Sequence, residues 1–391
     1  MHDSRTRVAI VADYLEELWP SMDLVADMLM RELSARRDES MAVDLLRPQF
    51  TLRFSRGYGA CSPRVAVNAD RLINRFVDYP RFLKSRKSDF DLFHIVDHTY
   101  AHLVRVAGAD RCVVTCHDLD ALRPVTEPNG NGNSWLLARM ARRILAGFAG
   151  AAAIACDSAA TLDAVLRFHL APAQRLSVNP NGVADIFSPC PDPDADAQVC
   201  SLLGSADPHA PEILHVGSTI PRKRIDLLLR IFVALRRELP TARLIRVGGT
   251  FTAAQRRLMD QLALPGDSVR ILPFLDRETL AAVYRRAALV LLPSEAEGYG
   301  LPALEAMACG TPVLASDIAA LREVGGPATA FCPVADVPRW SAALLALLDE
   351  RRESSSGWAE RCDAGVKWAA RFTWREYADR AADLYRAIAA G

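Results

Sequence analysis

Pro293-Ser294-Glu295-Ala296-Glu297-Gly298-Tyr299-Gly300-Leu301-Pro302-Ala303-Leu304-Glu305-Ala306-Met307-Ala308-Cys309-Gly310-Thr311-Pro312-Val313 begins where a short apolar run, Val290–Leu292, ends. It reads as strand, glycine-bearing loop, then helix. The glycines let backbone amides turn towards a ligand, and Pro302 falls in the first helical turn, where its missing N–H costs nothing. The helix amino terminus then faces outward from the carboxyl end of a sheet. Its free N–H groups and positive dipole end suit a phosphate. Glu297 on the loop and Glu305 one turn into the helix are placed to reach hydroxyls flanking that phosphate. Two carboxylates beside a phosphate repel it unless they accept hydrogen bonds from such hydroxyls.

On either side of this run, short apolar stretches alternate with helical patterns. Strands are expected at Val8–Ala12, Leu92–Val96, Cys112–Thr115 and Ala152–Ala155, with helices over Leu24–Arg36 and from Asp157-Ser158 towards His169. After Ser188 a Pro- and Asp-rich stretch to Pro211 shows little periodicity and reads as a linker or exposed insertion. The alternation then restarts with strands at Ile213–Val216, Leu244–Val247, Val269–Leu272, Val290–Leu292 and Val313–Ala315. Helices follow at Arg224–Leu239, Ala253–Leu262, Asp276–Arg286 and Leu301–Cys309, and Trp374–Ala390 reads as a helical tail. This pattern predicts an α/β protein of two Rossmann-like units with parallel sheets. The expected domains are 1–187, a linker over 188–211, 212–370, and a terminal helix over 371–391.

Composition narrows the function classes. The chain has 391 residues, about two domains' worth, and half of them are hydrophobic. Lys+Arg and Asp+Glu balance at 47 each, so no net field favours nucleic acid. Met1 to Arg5 lead into an apolar run too short for a signal peptide, and no run approaches the ~20 apolar residues that span a bilayer. Nine cysteines without a Cys-x-x-Cys pair argue against a disulfide framework or zinc site and fit a reducing cytosol. No Gly-x-Gly-x-x-Gly run marks a dinucleotide oxidoreductase.

Glu297 and Glu305 have seven residues between them, and the surrounding run resembles the signature of family 4 retaining glycosyltransferases of the GT-B fold. The resemblance implies two Rossmann-like domains facing across a cleft, with the terminal helix returning to the first. It also implies that Glu297 contacts the donor sugar and Glu305 the ribose hydroxyls. The amides of Gly298, Tyr299, Gly300 and Leu301 would hold the diphosphate. His215-Val216-Gly217-Ser218-Thr219-Ile220-Pro221-Arg222-Lys223-Arg224 is similar to the family's strand–loop–PRK element, whose lysine, here Lys223, neutralises the leaving diphosphate. Where many members have arginine after the glycine, this chain has Ser218, so Arg222 or Arg224 is expected to supply the second charge. The nucleobase is expected near Phe274 and Leu275.

The amino-terminal half resembles the family less closely. Thr115-Cys116-His117-Asp118 is similar to its His-Asp element, in which the histidine meets the donor sugar. Asn179 to Val183 looks like its NGV turn, and Asp157-Ser158 like a helix start found there. Many relatives carry a Gly-Gly loop after the first strand, whereas Asp13 to Asp23 contains no glycine. Trp19 is there either a sugar-stacking platform or a core aromatic. Asp97 and His98, just past a strand, are expected on the acceptor side. His94, His98 and His102 recur every fourth residue, but a strand across His94 keeps them from sharing a helix face, so no metal site is expected. Arg71 to Lys87 interleaves basic and apolar residues, interrupted by Pro80. It reads as a solvated surface helix or as a contact with an anionic membrane.

The resemblance implies a metal-independent enzyme without a cofactor. It would move a hexosyl group with retention from a UDP- or GDP-sugar to a saccharide or glycolipid acceptor, in the cytoplasm or at the inner membrane face. Cell-surface polysaccharide or glycolipid synthesis is the expected setting. The competing readings are an idle nucleotide-sugar-binding scaffold and a nucleotide-sugar epimerase.

Overall fold

The computed structural model describes residues 5–36, 40–56, 64–126 and 135–390, so the reading of residues 1–4 lies outside the described residues. The chain divides into two compact units. One comprises Met1–Asn181 with Trp374–Gly391, the other Gly182–Thr373.

The first unit has a parallel six-stranded sheet formed by β1 (Thr6–Val11), β2 (Met41–Leu46), β3 (Leu92–Ile95), β4 (Cys112–Cys116), β5 (Ala153–Cys156) and β6 (Leu176–Val178), in the order β2-β1-β3-β4-β5-β6. Residues of β3, β4 and β5 are buried throughout, as strands covered on both faces must be. The strand order turns back at β1, so the loops leaving β1 and β3 diverge. That divergence opens a crevice at the carboxyl ends of the strands, where ligands of such sheets bind.

The second unit repeats the plan with β7 (Glu212–Val216), β8 (Arg243–Val247), β9 (Val269–Leu272), β10 (Leu289–Leu292), β11 (Val313–Ser316) and β12 (Ala330–Cys332). Their order is β12-β11-β10-β7-β8-β9, all parallel. Here the reversal falls between β7 and β10. Its core centres on Trp340, Phe232 and the leucines of helix Ile225–Glu238.

Helix Trp374–Ala390 completes the first unit. Its buried residues Trp374, Tyr377, Ala378, Ala381, Ala382 and Tyr385 recur at three- and four-residue steps and form one apolar stripe. The tyrosines carry hydroxyls into that stripe and find partners. Tyr385 lies 2.5 Å from His94 Nδ1, His94 Nε2 lies 2.7 Å from Thr115 Oγ1, and Thr115 meets the Tyr377 hydroxyl at 3.3 Å. Burial lowers the His94 imidazole to about 3, so it stays neutral, with one nitrogen donating and the other accepting.

Two expectations are corrected. The supposed linker contains helix Pro193–Leu203, capped by the Asp192 carboxylate on the amides of Asp194 and Ala195, with Pro193 at its start. It buries Ala195, Val199 and Leu203 and packs on helix Arg277–Arg286 within the second unit, tied there by Arg285–Asp196 at 3.0 Å. Pro80, in turn, does not stop the helix around it. Helix Arg64–Ile73 runs into a π turn over Asn74–Asp78 and on into Tyr79–Arg86, the wider turn accommodating the missing N–H. Phe76, Phe82 and Leu83 pack into the core, and the outer side carries Arg81, Lys84 and Lys87. No helix among the described residues is long and apolar enough to cross a membrane.

Because the Tyr385 hydroxyl pairs a buried imidazole nitrogen, Tyr385→Phe leaves that nitrogen unsatisfied. We expect a loss of about 1–3 kcal/mol in urea unfolding. An unchanged midpoint would contradict this role.

Candidate active site

In the second unit the reversal between β7 and β10 brings together two loops that lie more than 70 residues apart in sequence. Lys223 Nζ donates to both carboxylate oxygens of Glu297, at 2.7 and 2.9 Å, and both side chains are largely withdrawn from water, 14% and 7% exposed. Ser294 Oγ donates to the same carboxylate at 2.6 Å. The Glu295 amide donates to the Arg222 carbonyl at 2.8 Å, and Arg222 lies 3.8 Å from Glu297. Arg224 is held by Asp226 at 2.9 Å and Glu295 at 3.2 Å. The two loops are thus stitched along their length, with one ammonium and one carboxylate at the centre.

The loop after Glu297 enters helix Leu301–Ala308 through Gly300, whose φ of 114° places it in the left-handed region. A Cβ there would lie 2.7 Å from Leu321 Cδ2, a side-chain end that can shift, so it is the backbone conformation that calls for glycine. Gly298 and Tyr299 are buried beneath this turn, and Pro302 occupies the first helical turn. Glu305 is 7% exposed and accepts from the Tyr284 hydroxyl at 2.8 Å; burial pushes its carboxyl up to about 7. Beyond the end of β9, Phe274 is 68% exposed and Leu275 half-buried, leaving an aromatic face open at the carboxyl ends of the strands.

The sequence reading missed the loop after β8. Gly248 and Gly249 both have positive φ, and Gly248 packs so closely on Gly217 that a Cβ would lie 2.2 Å from the Gly217 oxygen. Arg246, fully buried, donates to the Gly217 carbonyl at 2.8 Å. The Val247-Gly248-Gly249 run at a strand end was the available signal; a charge inside an apolar run was not.

At the matching reversal of the first unit, Asp13 after β1 and Asp97 after β3 are buried together with Glu17, and the half-buried Arg75 lies within 4 Å of Glu17 and Asp97. Burial and the neighbouring Asp97 carboxylate push Asp13 well above the usual carboxyl range. Burial also opposes ionisation of Asp97, but His98 and Arg75 outweigh it and hold that carboxyl at about 2. Arg75 donates to the Thr99 hydroxyl and sits 4.1 Å above the Tyr100 ring. Sequence reasoning named Asp97 and His98 here but not Asp13, Glu17 or Arg75, which lay in stretches read for glycine or for surface charge. In the glycine-free loop it is Leu18 that adopts the left-handed conformation, with φ 58°. Trp19 is 53% exposed, so it is no core aromatic.

His117 lies past β4. Its Nδ1 is 2.6 Å from Asp157 Oδ2 and its Nε2 2.6 Å from the Val96 carbonyl. Burial alone would lower this imidazole, but Asp157 and then Asp97 raise it to about 9. Both nitrogens therefore carry protons, and both are engaged; a sugar hydroxyl would have to exchange with the Val96 carbonyl. Asn181 donates to Asp157 at 2.8 Å, and Ser158 caps helix Ala159–Arg167, which gives the NGV and Asp-Ser elements structural partners. His94 and His102 bond to Thr115 and to the Arg75 carbonyl, and no group of three metal-ligating side chains occurs among the described residues.

Two family models match successive stretches of the chain, Glycosyltransferase Family 4 over residues 24–185 and Glycosyl transferases group 1 over residues 205–362. The D-inositol 3-phosphate glycosyltransferase of Thermobispora bispora is 36% identical over 231 residues, 56% of this chain and 51% of that protein. The protein of that name from Mycobacterium marinum is 29% identical over 293 residues, 73% and 60% respectively. The chain thus spans about half to three-fifths of the length of these curated relatives. Sucrose-phosphate synthase from Thermosynechococcus elongatus aligns over 99% of this chain and 100% of its own, with a TM-score of 0.74 at 22% identity. The catalytic domain of starch synthase IV from Arabidopsis thaliana aligns over the same shares, with a TM-score of 0.71 at 15% identity. At such identities the likeness establishes a common fold, and the family models supply the lineage. Matched in succession by both models, the chain belongs to the family 4, group 1 glycosyltransferases of the GT-B fold.

Proposed function

We propose that this protein is a retaining glycosyltransferase that moves a hexosyl group from a UDP- or GDP-sugar to a saccharide or glycolipid acceptor without a metal ion. The observation that carries the reading is the Lys223–Glu297 pair at the β7/β10 reversal. When the bond to the anomeric carbon breaks, negative charge grows on the diphosphate. An ammonium already fixed nearby stabilises that charge without reorganising. Freed from Lys223, Glu297 can accept from hydroxyls of the donor sugar, while the helix start at Leu301 faces the phosphates. Glu305 is assigned to the ribose, and the open face of Phe274 to the base. The acceptor hydroxyl attacks on the face the diphosphate leaves and passes its proton to a phosphate oxygen, so no separate base is required.

In this reading the first unit supplies the acceptor side through Trp19, Asp97 and His98, and His117 meets the donor sugar. A cytoplasmic setting belongs to the same proposal, with Arg81, Lys84 and Lys87 resting on an anionic membrane. A second reading, nucleotide-sugar binding without transfer, draws support from Ser218 and from the engaged ring nitrogens of His117.

Thermal-shift and transfer assays with UDP, GDP, ADP and their sugars, chelator present, separate these readings. A ligand at ~100 times its dissociation constant should add about 2.7 kcal/mol of stability. In Lys223→Ala we expect that shift to vanish and transfer to fall about 10²–10³-fold. A Glu297→Gln variant that transfers at the wild-type rate refutes the site, and donor binding without transfer to any acceptor favours the second reading.

The charge on His117 has its own signature. Its folded value of about 9 lies above the ordinary 6.5, so its contribution is complete below pH 6.5 and is lost as pH rises through 9. The difference corresponds to roughly 3 kcal/mol. Denaturant titrations from pH 6.5 to 9.5 should show that decline in the wild type and a flatter profile in His117→Gln. Parallel profiles would contradict the assignment.

A further inference from the structure

Arg246 stands inside the sheet of the second unit with none of its surface exposed. No carboxylate among the described residues offsets its charge, and burial alone lowers its guanidinium to about 10. Its partners are backbone carbonyls, those of Gly217 at 2.8 Å, Gly248 at 3.5 Å and Gly249. The Phe251 ring lies 5.2 Å away. A buried cation held only by neutral dipoles is costly, and the fold must retain it for something that lies outside it.

The geometry of the peptide unit says what that is. In a planar trans peptide the C=O and the following N–H point in opposite directions. Drawing the carbonyls of Gly217, Gly248 and Gly249 inward onto Arg246 therefore turns the N–H groups of Ser218, Gly249 and Thr250 outward. None of these three donates to an acceptor among the described residues, and all three residues are half-buried or exposed. They lie at the carboxyl ends of β7 and β8, on the same loop layer as Lys223. His215, buried beside Gly217, has neither ring nitrogen paired and brings no negative charge to the region. Converging outward amides over a buried positive charge make an anion-binding nest.

We propose that Arg246 is a positioning residue of the donor diphosphate site, holding the turns at Gly217 and Gly248–Gly249 so that the Ser218, Gly249 and Thr250 amides bind phosphate oxygens of a nucleoside diphosphate. The ligand is then the counter-ion that the protein omits. The inference rests on the second unit being the donor site. It also answers the departure at Ser218. The second charge does not come from Arg224, which is committed to Asp226 and Glu295. It enters from the neighbouring strand, behind the backbone.

The test uses the full chain with UDP, GDP and ADP in the presence of chelator. Amide hydrogen exchange at residue resolution should show protection at Ser218, Gly249 and Thr250 when a diphosphate binds. By calorimetry, Arg246→Met should bind that diphosphate at least tenfold more weakly. Protection confined to residues 298–301, or a folded Arg246→Met with unchanged affinity, overturns the proposal and leaves the donor site standing. If Arg246→Met does not fold, the exchange result on the wild type decides. If the wild type binds none of the three, the donor-site reading itself fails, and this inference with it.

Discussion

A parallel sheet obliges the chain to cross back after every strand, and right-handed crossovers place each helix on a face set by the direction in which the next strand is added. Once that direction reverses, two neighbouring strands send their loops to opposite faces, and a gap opens that no helix covers. Both units are built around one such reversal, beside β1 in the first and β7 in the second. The chemistry-bearing side chains follow from it. Asp13 and Asp97 leave the two strands of one reversal, Lys223 and Glu297 the two strands of the other. Buried Val, Leu and Ala in the strand interiors keep those loop stems in register.

The units solve the cost of buried charge differently. The first gathers carboxyls, which raises Asp13 above the usual carboxyl range, and offsets their repulsion with the guanidinium of Arg75. The second is weighted towards cations. Lys223 is matched by Glu297, but Arg246 is matched only by carbonyl dipoles. An acidic reversal suits hydroxyl-rich neutral partners, and a cationic one suits phosphates, so the two reversals differ in the ligand chemistry they favour.

Sequence legibility followed burial. The interior strands were readable because strands covered on both faces are continuous apolar runs. β2, β6 and β12 were missed, and all three are edges; β2 is half-buried over Met41–Val43 and exposed at Asp44 and Leu45, while β6 and β12 are three residues long. Pro193 and Asp192 read as linker punctuation, although the same pair starts a helix well. At the site, the run from Pro293 to Val313 was legible because loop, glycine and helix start are contiguous. Asp13, Arg75 and Arg246 were not, because each acquires its meaning from partners distant in sequence. A lone arginine in a strand looks like an interruption until the carbonyls it gathers are seen.

The return of helix Trp374–Ala390 to the first unit has a consequence during synthesis. Residues up to Asn181 leave the ribosome before the 192 residues of 182–373, and only then does the helix that covers His94 and Thr115 appear. At ~5–20 residues per second the delay is about 10–40 s. Through that interval the nascent first unit displays an open apolar groove whose polar centre lacks its tyrosine hydroxyls. The half that is made first is therefore finished last.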